Sequence, residues 1–422
     1  MVFKCQEDSF LKEFDTTVLS CEKATLDLPL SNDANVKRLE GYNVVCEDTI
    51  LFPEGGGQPC DYGTINGQPV RNVVRKGSEA IHFVEMKNPF EEGTAVTQIV
   101  DWNRRLDHMQ QHSGQHLITA LFESEFKYDT TSWWLGSDTS YIELSTRHLV
   151  SQESLDIIER KANELIREGR NVTVLLVDPD DPVKFTDTRA PRGLPRNHVG
   201  LARLVRIEGV ESNMCCGTHV TNLSQLQGVK LLYAETVKGL VYVHFAVGER
   251  VMRKLGECVR RERQMNLALK GGPAQHLDLV EKLQKNIQST TKSLQKILKD
   301  LAISEAEKLE TLKPRPQFYC LHRRDGIEPD FINTFLNNAP KDIFYFLIVS
   351  ENVPCGGKGH MVLRGDPAVI QKFGAMFLSI LEGKGYGKHN HFQGKVNVSK
   401  VPECVALLEE HFNSIKSIAE AS

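Results

Sequence analysis

The sequence lacks a long apolar run, a secretory signal and a disulfide framework. None of its 422 residues lies in an apolar stretch near the roughly 18–20 residues that span a bilayer, so we expect no membrane partner. The N-terminus, MVFKCQEDSF, has no apolar core of the kind that directs secretion. The ten cysteines are scattered, and only Cys215 and Cys216 are adjacent. These absences predict a cytoplasmic protein.

The chain also has little net charge, since its formal value is only −4. That value does not indicate a nucleic-acid binder. The distribution is uneven, however: residues 1–100 hold nine basic against 16 acidic side chains, whereas residues 356–400 hold seven basic against two acidic ones. Phosphate contacts are therefore expected in the basic segment. For any single lysine, an ordinary solvated surface remains the alternative.

Two short motifs about a hundred residues apart predict a metal site. His112-Ser-Gly-Gln-His116 and Cys215-Cys-Gly-Thr-His219 each separate two metal-binding side chains by four residues. Positions i and i+4 share one face of a helix, so both histidines of the first motif can bind one ion. Nitrogen and sulfur ligands suit tetrahedral Zn²⁺. The sequence therefore predicts zinc held by His112, His116, Cys215 and His219; buried, hydrogen-bonded histidines beside an unrelated cysteine are the alternative.

A metalloprotease is not expected from the first motif. The H-E-x-x-H signature places a glutamate general base directly after the first histidine, and Ser113 occupies that position here.

The pattern of apolar residues predicts an α+β protein of about four segments. Residues 1–100 are β-rich, with turns at glycines, and predict a small β-barrel; Thr49–Phe52 is one of the predicted strands. Residues 101–248 mix strands and helices around both metal motifs. A helix beginning near Trp102 is predicted to carry the first motif.

The second half of the chain is predicted to contain a helical segment and a separate module. Residues 249–315 show helical periodicity interrupted at Lys270–Pro273, which predicts an antiparallel hairpin; a dimerising coiled coil is the alternative. Residues 316–422 return to alternating strands and helices and predict an α/β module. Within it, Gly383–Lys388 is predicted to be a basic, glycine-rich loop whose backbone and lysines can contact phosphate.

Three motifs in this order make the chain similar to a known family. The stretch Phe52-Pro-Glu-Gly-Gly-Gly-Gln58, then HSGQH, then CCGTH resemble the editing domain of alanyl-tRNA synthetase, and more closely the long form of the free-standing AlaX family. The resemblance covers nearly the whole chain. It identifies residues 101–248 as a zinc-binding editing domain and residues 316–422 as a tRNA-binding and dimerisation module.

The resemblance implies a zinc-dependent aminoacyl-tRNA deacylase that acts in trans. Its substrate would be tRNA(Ala) mischarged with serine, and a homodimer through the C-terminal module is also implied. No synthetase core precedes the editing-like region, so aminoacylation is not expected. Cys216 stands where the synthetase motif has glycine; Cys215 keeps the four-residue spacing to His219 and is the predicted ligand, while Cys216 is predicted to pack or face the pocket.

The resemblance also places Gln58 beside the zinc, in contact with the substrate amino acid or the terminal adenosine. A side-chain amide both donates and accepts hydrogen bonds, which suits a hydroxyl-bearing substrate such as serine. A site that hydrogen-bonds a hydroxyl group rejects a methyl group because buried polar groups are then left unpaired. Thr218 and Asp61 are further candidates for this pocket.

His108 lies one helical turn before His112 and has several possible roles. It is predicted to support a ligand, contact the substrate or serve as a third ligand, with an ordinary hydrogen-bonded histidine as the alternative. Zinc itself either orients the substrate, which we favour, or acts as a Lewis acid with one weak ligand. A non-catalytic, zinc-stabilised RNA-binding module and a metal-dependent hydrolase of small esters are the competing functions.

Overall fold

The computed structural model describes residues 2–29, 36–178, 201–324, 329–350 and 357–420. Helices and strands alternate in these ranges, which confirms the predicted α+β class. The helices within them are α1 Lys4–Glu7, α2 Trp102–Phe126, α3 Gln152–Glu168, α4 Glu249–Leu269, α5 His276–Thr311, α6 Pro329–Asn338, α7 Pro367–Ile380 and α8 Val401–Glu420. Among the helices so described, none is both long and apolar enough to cross a membrane.

The strands are numbered in chain order. They are β1 Glu13–Pro29, β2 Val36–Cys46, β3 Gly63–Ile65, β4 Gln68–Lys76, β5 Glu79–Val84, β6 Ala95–Val100, β7 Thr130–Leu135, β8 Ser140–Leu144, β9 Val172–Val177, β10 Ala202–Ile207, β11 Glu211–Met214, β12 Val229–Val237, β13 Leu240–Val247, β14 Phe318–Arg323, β15 Phe344–Ser350, β16 Lys358–Arg364, β17 Lys384–Lys388 and β18 His391–Asn397. The chain divides into two compact units, Met1–Gln264 and Met265–Ser422, and their boundary falls inside α4.

The first unit begins with six strands that pair in the order β1-β2-β5-β4-β3-β6. The order is cyclic because β1 pairs with β2 along one side and with β6 along the other. Alternate apolar residues such as Val18, Val44 and Val84 are buried inside this ring of strands, as the period of two in a strand requires.

The predicted strand Thr49–Phe52 is wrong, because this segment is a buried loop without ladder hydrogen bonds. Ile50, Leu51 and Phe52 are apolar and buried like strand residues. Their backbone groups are satisfied by side chains instead: Ile50 N donates to Gln98 Oε1 at 2.9 Å and Phe52 N donates to Asp61 Oδ2 at 2.7 Å. The apolar residues of this segment therefore indicate its burial correctly, but they do not indicate a strand.

A buried ion pair joins this loop to α2. Arg105 and Asp61 are both fully buried and form a salt bridge, in which Arg105 Nε donates to Asp61 Oδ2 at 2.9 Å. The guanidinium also donates to the carbonyl oxygens of Ser9 and Ile50. Arg105 thus fixes the glycine-rich segment relative to the helix that bears the histidine motif.

The rest of the first unit packs α2 and α3 against a four-stranded sheet of order β12-β13-β8-β7, with a three-stranded sheet β11-β10-β9 beside them. Helix α2 begins where Asp101 accepts a hydrogen bond from Arg104 N and is almost wholly buried from Arg105 to Phe122. A Cβ on Gly114 would lie 2.5 Å from Val247 Cγ2, so only glycine lets α2 approach β13 this closely.

The second unit contains a mixed sheet of order β14-β15-β16-β18-β17. Alternate residues of β15 face two separate cores: Tyr345 and Leu347 pack with α5 and α6 on one side, while Phe346 and Ile348 pack with α7 and α8 on the other. The predicted helix break is present, since α4 ends at Leu269 and α5 begins at His276.

The predicted loop Gly383–Lys388 is wrong as a loop, because Lys384–Lys388 forms the edge strand β17. Its glycines are required by strand pairing: a Cβ on Gly385 would lie 2.3 Å from Gln393 O of β18. Tyr386 is 74% exposed and both lysines are solvent-accessible. The basic side chains are thus presented from a sheet edge.

Candidate metal centre

Four side chains converge at one point of the first unit. His112 and His116 extend from α2, while Cys215 and His219 lie in the segment that follows β11. Their ligand atoms all lie within 4.8 Å of one another, with Cys215 Sγ 3.4 Å from His112 Nε2 and 3.1 Å from His219 Nε2. The structure thus brings together the four predicted ligands from two motifs far apart in sequence.

Each histidine of the cluster directs Nε2 toward the cluster and forms a hydrogen bond through its other ring nitrogen, Nδ1. The Nδ1 atoms have partners at 2.9–3.0 Å: Gln58 Oε1 for His112, Glu211 Oε1 for His116 and Ser113 Oγ for His219. Amide and carboxylate oxygens only accept, so the first two rings carry a proton on Nδ1 and direct Nε2 into the cluster. Outer partners of this kind orient metal-binding imidazoles.

The cluster fits a zinc ion in chemistry and in size. A tetrahedral ion with ordinary Zn–S and Zn–N bonds holds sulfur and nitrogen ligands about 3.5 Å apart, close to the separations found here. Burial opposes ionisation of the Cys215 thiol, but the imidazoles of His112, His219 and His116 lower its pKa well below 9. A buried thiolate with three imidazole nitrogens is a donor set that zinc prefers.

The pKa values of two cluster histidines are shifted in opposite directions from the ordinary value of histidine. Burial works against protonation of His116, but the neighbouring Cys215 and Glu211 raise its pKa to about 10. For His219, burial dominates and lowers the pKa to about 3. The negative charge of Cys215 and Glu211 therefore draws positive charge into the cluster.

Cys216 is not a member of the cluster. A Cβ on Gly56 would lie 3.0 Å from Cys216 Sγ, so this thiol faces the glycine-rich turn. Burial and the adjacent Cys215 raise the pKa of Cys216 to about 11, and its carbonyl accepts from Gln6 Nε2 at 2.6 Å. Cys216 therefore packs beside the site as a neutral thiol.

Gly217 leaves no room for a side chain beside the cluster. A Cβ at this position would lie 2.3 Å from both Cε1 and Nδ1 of His112 and 2.9 Å from Gln58 Oε1. The motif therefore requires glycine here so that the backbone of the cysteine segment can pass against the histidine of α2.

Gln58 is fully buried and holds His112 in place. Its Oε1 accepts from His112 Nδ1 at 2.9 Å and from Thr218 N at 3.0 Å, while its Nε2 donates to Thr218 Oγ1 at 2.7 Å. Gln58 and Thr218 thus connect the glycine-rich segment to both metal motifs. Contact between Gln58 and a substrate stays a prediction.

The structure does not bring Asp61 and His108 into the cluster. Asp61 is bound by Arg105, as described above. His108 is buried one turn before His112, and in the described part of the chain neither of its ring nitrogens has a hydrogen-bond partner. Burial, together with the cations of Arg104 and Arg250, lowers the pKa of His108 to about 4. It is therefore a neutral imidazole at physiological pH.

Sequence reasoning missed several residues that support the site. Glu211 and Ser113 orient two ligands, and Arg203 donates to the carbonyls of Cys215 and Gln6 at 2.6 Å and 2.9 Å. Trp133 Nε1 donates to Gly56 O at 3.0 Å and fixes the glycine-rich turn. Of these, only Ser113 lies within a motif, so sequence spacing carried no signal for the others.

Comparison with known proteins places the same region in a recognised family. The model for the "Threonyl and Alanyl tRNA synthetase second additional domain" matches residues 202–251, which include Cys215 and His219. The chain is 42% identical over 423 residues, the whole of both chains, to alanyl-tRNA editing protein Aarsd1-B of Xenopus laevis. It is also 42% identical to alanyl-tRNA editing protein Aarsd1 of Mus musculus, covering 98% of this chain and 99% of that one.

A longer enzyme is similar to nearly the whole of this chain over part of its own length. Alanine–tRNA ligase of Pyrococcus furiosus is 29% identical over 420 residues, which cover 94% of this chain and 42% of that enzyme. Because the similarity to the editing proteins exceeds 40% identity and extends over at least 98% of this chain, the chain belongs to the alanyl-tRNA editing protein family.

Proposed function

We propose that this protein is a cytoplasmic, zinc-dependent deacylase that removes serine from mischarged tRNA(Ala) in trans. The names of its full-length relatives support an alanyl-tRNA editing function. The observation that carries the chemistry is the convergence of His112, His116, Cys215 and His219, each histidine oriented by an outer partner. A non-catalytic, zinc-stabilised RNA-binding module would use the same four ligands, so hydrolysis of the ester is what distinguishes the two functions.

The four side chains would hold the zinc, and the remaining residues would position the substrate. Zinc, when bound, would act as a Lewis acid on the ester only if one of the four ligands were weak. Four protein ligands complete a tetrahedral set, which favours a zinc that helps to orient the substrate by fixing the residues around it. Gln58 and Thr218 keep the His112 ring fixed, so that the ester is held in one geometry relative to the attacking water.

Selection of serine would depend on unused hydrogen-bonding capacity around the cluster. Gln58 has one amide hydrogen beyond the one given to Thr218. His108 is buried and neutral, and both its ring nitrogens are unpaired among the described residues. These groups can bond the seryl hydroxyl or the attacking water, whereas an alanyl methyl group would leave them unsatisfied.

The editing function is tested by measuring deacylation of two charged forms of the same tRNA. We expect purified protein to hydrolyse Ser-tRNA(Ala) at least about a hundredfold faster than Ala-tRNA(Ala), because unpaired buried polar groups penalise the methyl side chain. Equal rates for the two would contradict proofreading. Binding of tRNA without hydrolysis would favour the RNA-binding module, and hydrolysis of free seryl esters alone would favour a small-ester hydrolase.

Glu211 is expected to control metal affinity without being a ligand. Glu211→Gln keeps an acceptor for His116 Nδ1 but removes the carboxylate charge, so Zn²⁺ affinity should fall about 10- to 100-fold. Competition with a chromophoric chelator measures this directly. The matched control is Glu208→Gln, which changes a carboxylate bound to Asn171 near the same strand pair. Equal affinities for both variants would show that the His116–Glu211 contact does not influence metal binding.

The basic edge of the second unit is proposed to bind tRNA phosphates and to lie in a module that also dimerises. Lys384 and Lys388 project from the exposed edge strand β17. Changing both to alanine should raise the apparent KM for aminoacyl-tRNA and reduce the salt dependence of binding by about two charges. Filter binding at several salt concentrations tests this, with Lys341→Ala plus Lys372→Ala as the control. Unchanged slopes would assign the phosphate contacts elsewhere.

A further inference from the structure

The four-stranded sheet of the first unit has one open face that the metal centre does not use. Its inner face packs into the core through residues such as Ile142, Val243 and Phe245. Its outer face carries aromatic rings, and two of them, Trp134 and Tyr233, are 52% and 49% exposed. A contiguous apolar patch that stays exposed marks a binding surface.

The rings form a single row across the sheet. Trp134 of β7 pairs with Tyr141 of β8, Tyr141 pairs with His244 of β13, and His244 pairs with Tyr233 of β12. Cross-strand partners share a face, so all four rings lie on the outer side. Neighbouring ring centroids are 5.7, 5.6 and 4.4 Å apart along the row. We call Trp134, Tyr141, His244 and Tyr233 the aromatic row.

Stabilisation of the sheet accounts for only part of this arrangement. The inner rings Tyr141 and His244 are half-buried against their neighbours, as cross-strand pairs require. The two end rings keep about half of their surface in solvent, which contributes nothing to folding. That exposed area is available to a planar ligand.

Positive charge lies at the Trp134 end of the row. A Cβ on Gly136 would lie 2.3 Å from the Trp134 ring, so the indole covers this turn. Arg250 Nη1 of α4 donates to Gly136 O at 2.6 Å, but its guanidinium is buried and paired with Asp107. Two further cations of α4, Arg253 and Lys254, share the single carboxylate of Asp138 in the same turn.

The charge continues along the same helix. Beyond the buried Arg250, positions 253 to 263 of α4 carry five basic residues against two acidic ones. The acidic side chains on the outer sheet face are already engaged, since Glu235 bonds His244 at 2.9 Å and Glu143 bonds Thr131. A ligand combining flat rings with negative charge matches this surface.

We propose that the outer face binds unpaired RNA nucleotides, with bases stacked on the aromatic row and phosphates near the basic start of α4. Sheets that present exposed aromatic rings stack two or three bases in this way, and stacking tolerates any base because each has a π-face. The inference rests on the proposed editing function only for the identity of the RNA, which would be an unpaired stretch of the tRNA.

The test uses a fluorescently labelled eight-nucleotide single-stranded RNA and the full chain. Trp134→Leu combined with Tyr233→Leu keeps apolar bulk but removes the flat rings, so the affinity should fall about tenfold or more. Trp134→Phe combined with Tyr233→Phe keeps the rings and should bind within about threefold of the unmodified protein. Leu149→Ala, which removes another exposed apolar side chain of this unit, should have no effect.

A second measurement keeps the proposal testable if the leucine variant fails to fold. Unlabelled RNA should quench the tryptophan fluorescence of the unmodified protein, and Trp134→Phe should remove most of that quenching while binding persists. Equal quenching in both proteins would overturn the proposal. So would unchanged RNA affinity in a folded leucine variant, equal affinity for the oligonucleotide in duplex form, or self-association that buries Trp134.

The outcome is separable from the editing function. If the unmodified protein hydrolyses Ser-tRNA(Ala) while the leucine variant binds the oligonucleotide normally, the aromatic row is not the binding surface and the editing function stands. If no hydrolysis occurs but the leucine variant loses RNA binding, the aromatic row is the binding surface and the editing function is wrong.

Discussion

Replacing Cys215 by alanine is expected to abolish tight zinc binding and, with it, deacylation. Cys215 is the only sulfur among the four convergent side chains, and its thiolate lies 3.1–3.4 Å from two imidazole nitrogens. Without it, a neutral three-histidine site remains, and neither the charge nor the tetrahedral set is complete. Metal content measured by elemental analysis should fall from about one equivalent to a small fraction.

Cys216→Ala is the matched control for this experiment. Its sulfur faces Gly56 and it is a neutral thiol, so metal content should remain near one equivalent. Chelation of zinc from the unmodified protein should reproduce the Cys215→Ala phenotype, and added Zn²⁺ should reverse it. Loss of zinc in Cys216→Ala together with retention in Cys215→Ala would show that the ligand assignment is wrong.

Arg105→Met is expected to destabilise the first unit by about 3–5 kcal/mol, because it leaves the Asp61 carboxylate buried without its cation. Both partners are fully buried, and Arg105 also satisfies two backbone carbonyls. Tryptophan fluorescence during urea unfolding measures this, since all three tryptophans, at positions 102, 133 and 134, lie in the first unit.

The control for Arg105 is Arg71→Met in the same ring of strands. Arg71 forms a salt bridge of 2.7 Å with Glu85, but both side chains are more than one-third exposed, so the loss should stay below about 1 kcal/mol. The double variant Asp61→Asn plus Arg105→Met should be more stable than Arg105→Met alone, because it no longer buries an uncompensated carboxylate charge. Similar unfolding midpoints for Arg71→Met and Arg105→Met would refute a structural role for the buried pair.

Local sequence was informative where chemistry depends on spacing. Histidines four residues apart in a helical pattern fixed one half of the metal site, and the helix indeed begins at Trp102. The second motif supplied a cysteine and a histidine with the same separation, although its segment is not a helix. The α+β class followed from the alternation of strand and helix periodicities.

Spacing failed where contacts come from distant parts of the chain. Glu211 and Arg203 support the site through partners that no motif relates to them. The segment Thr49–Phe52 looked like a strand because it is apolar, yet side chains of Gln98 and Asp61 satisfy its backbone. The segment Gly383–Lys388 looked like a loop because it is rich in glycine, yet pairing with β18 makes it a strand.

The sequence by itself determined the donor types of the metal site, the helix that carries two of them and the similarity to a known family. Only the tertiary structure decided that Gln58 orients His112, that Glu211 orients His116, and that aromatic residues of four strands form one row. The physical reason is that spacing within a helix or strand is set by local geometry. Which side chains meet across the fold is set by burial and by the hydrogen bonds that each buried polar group must find.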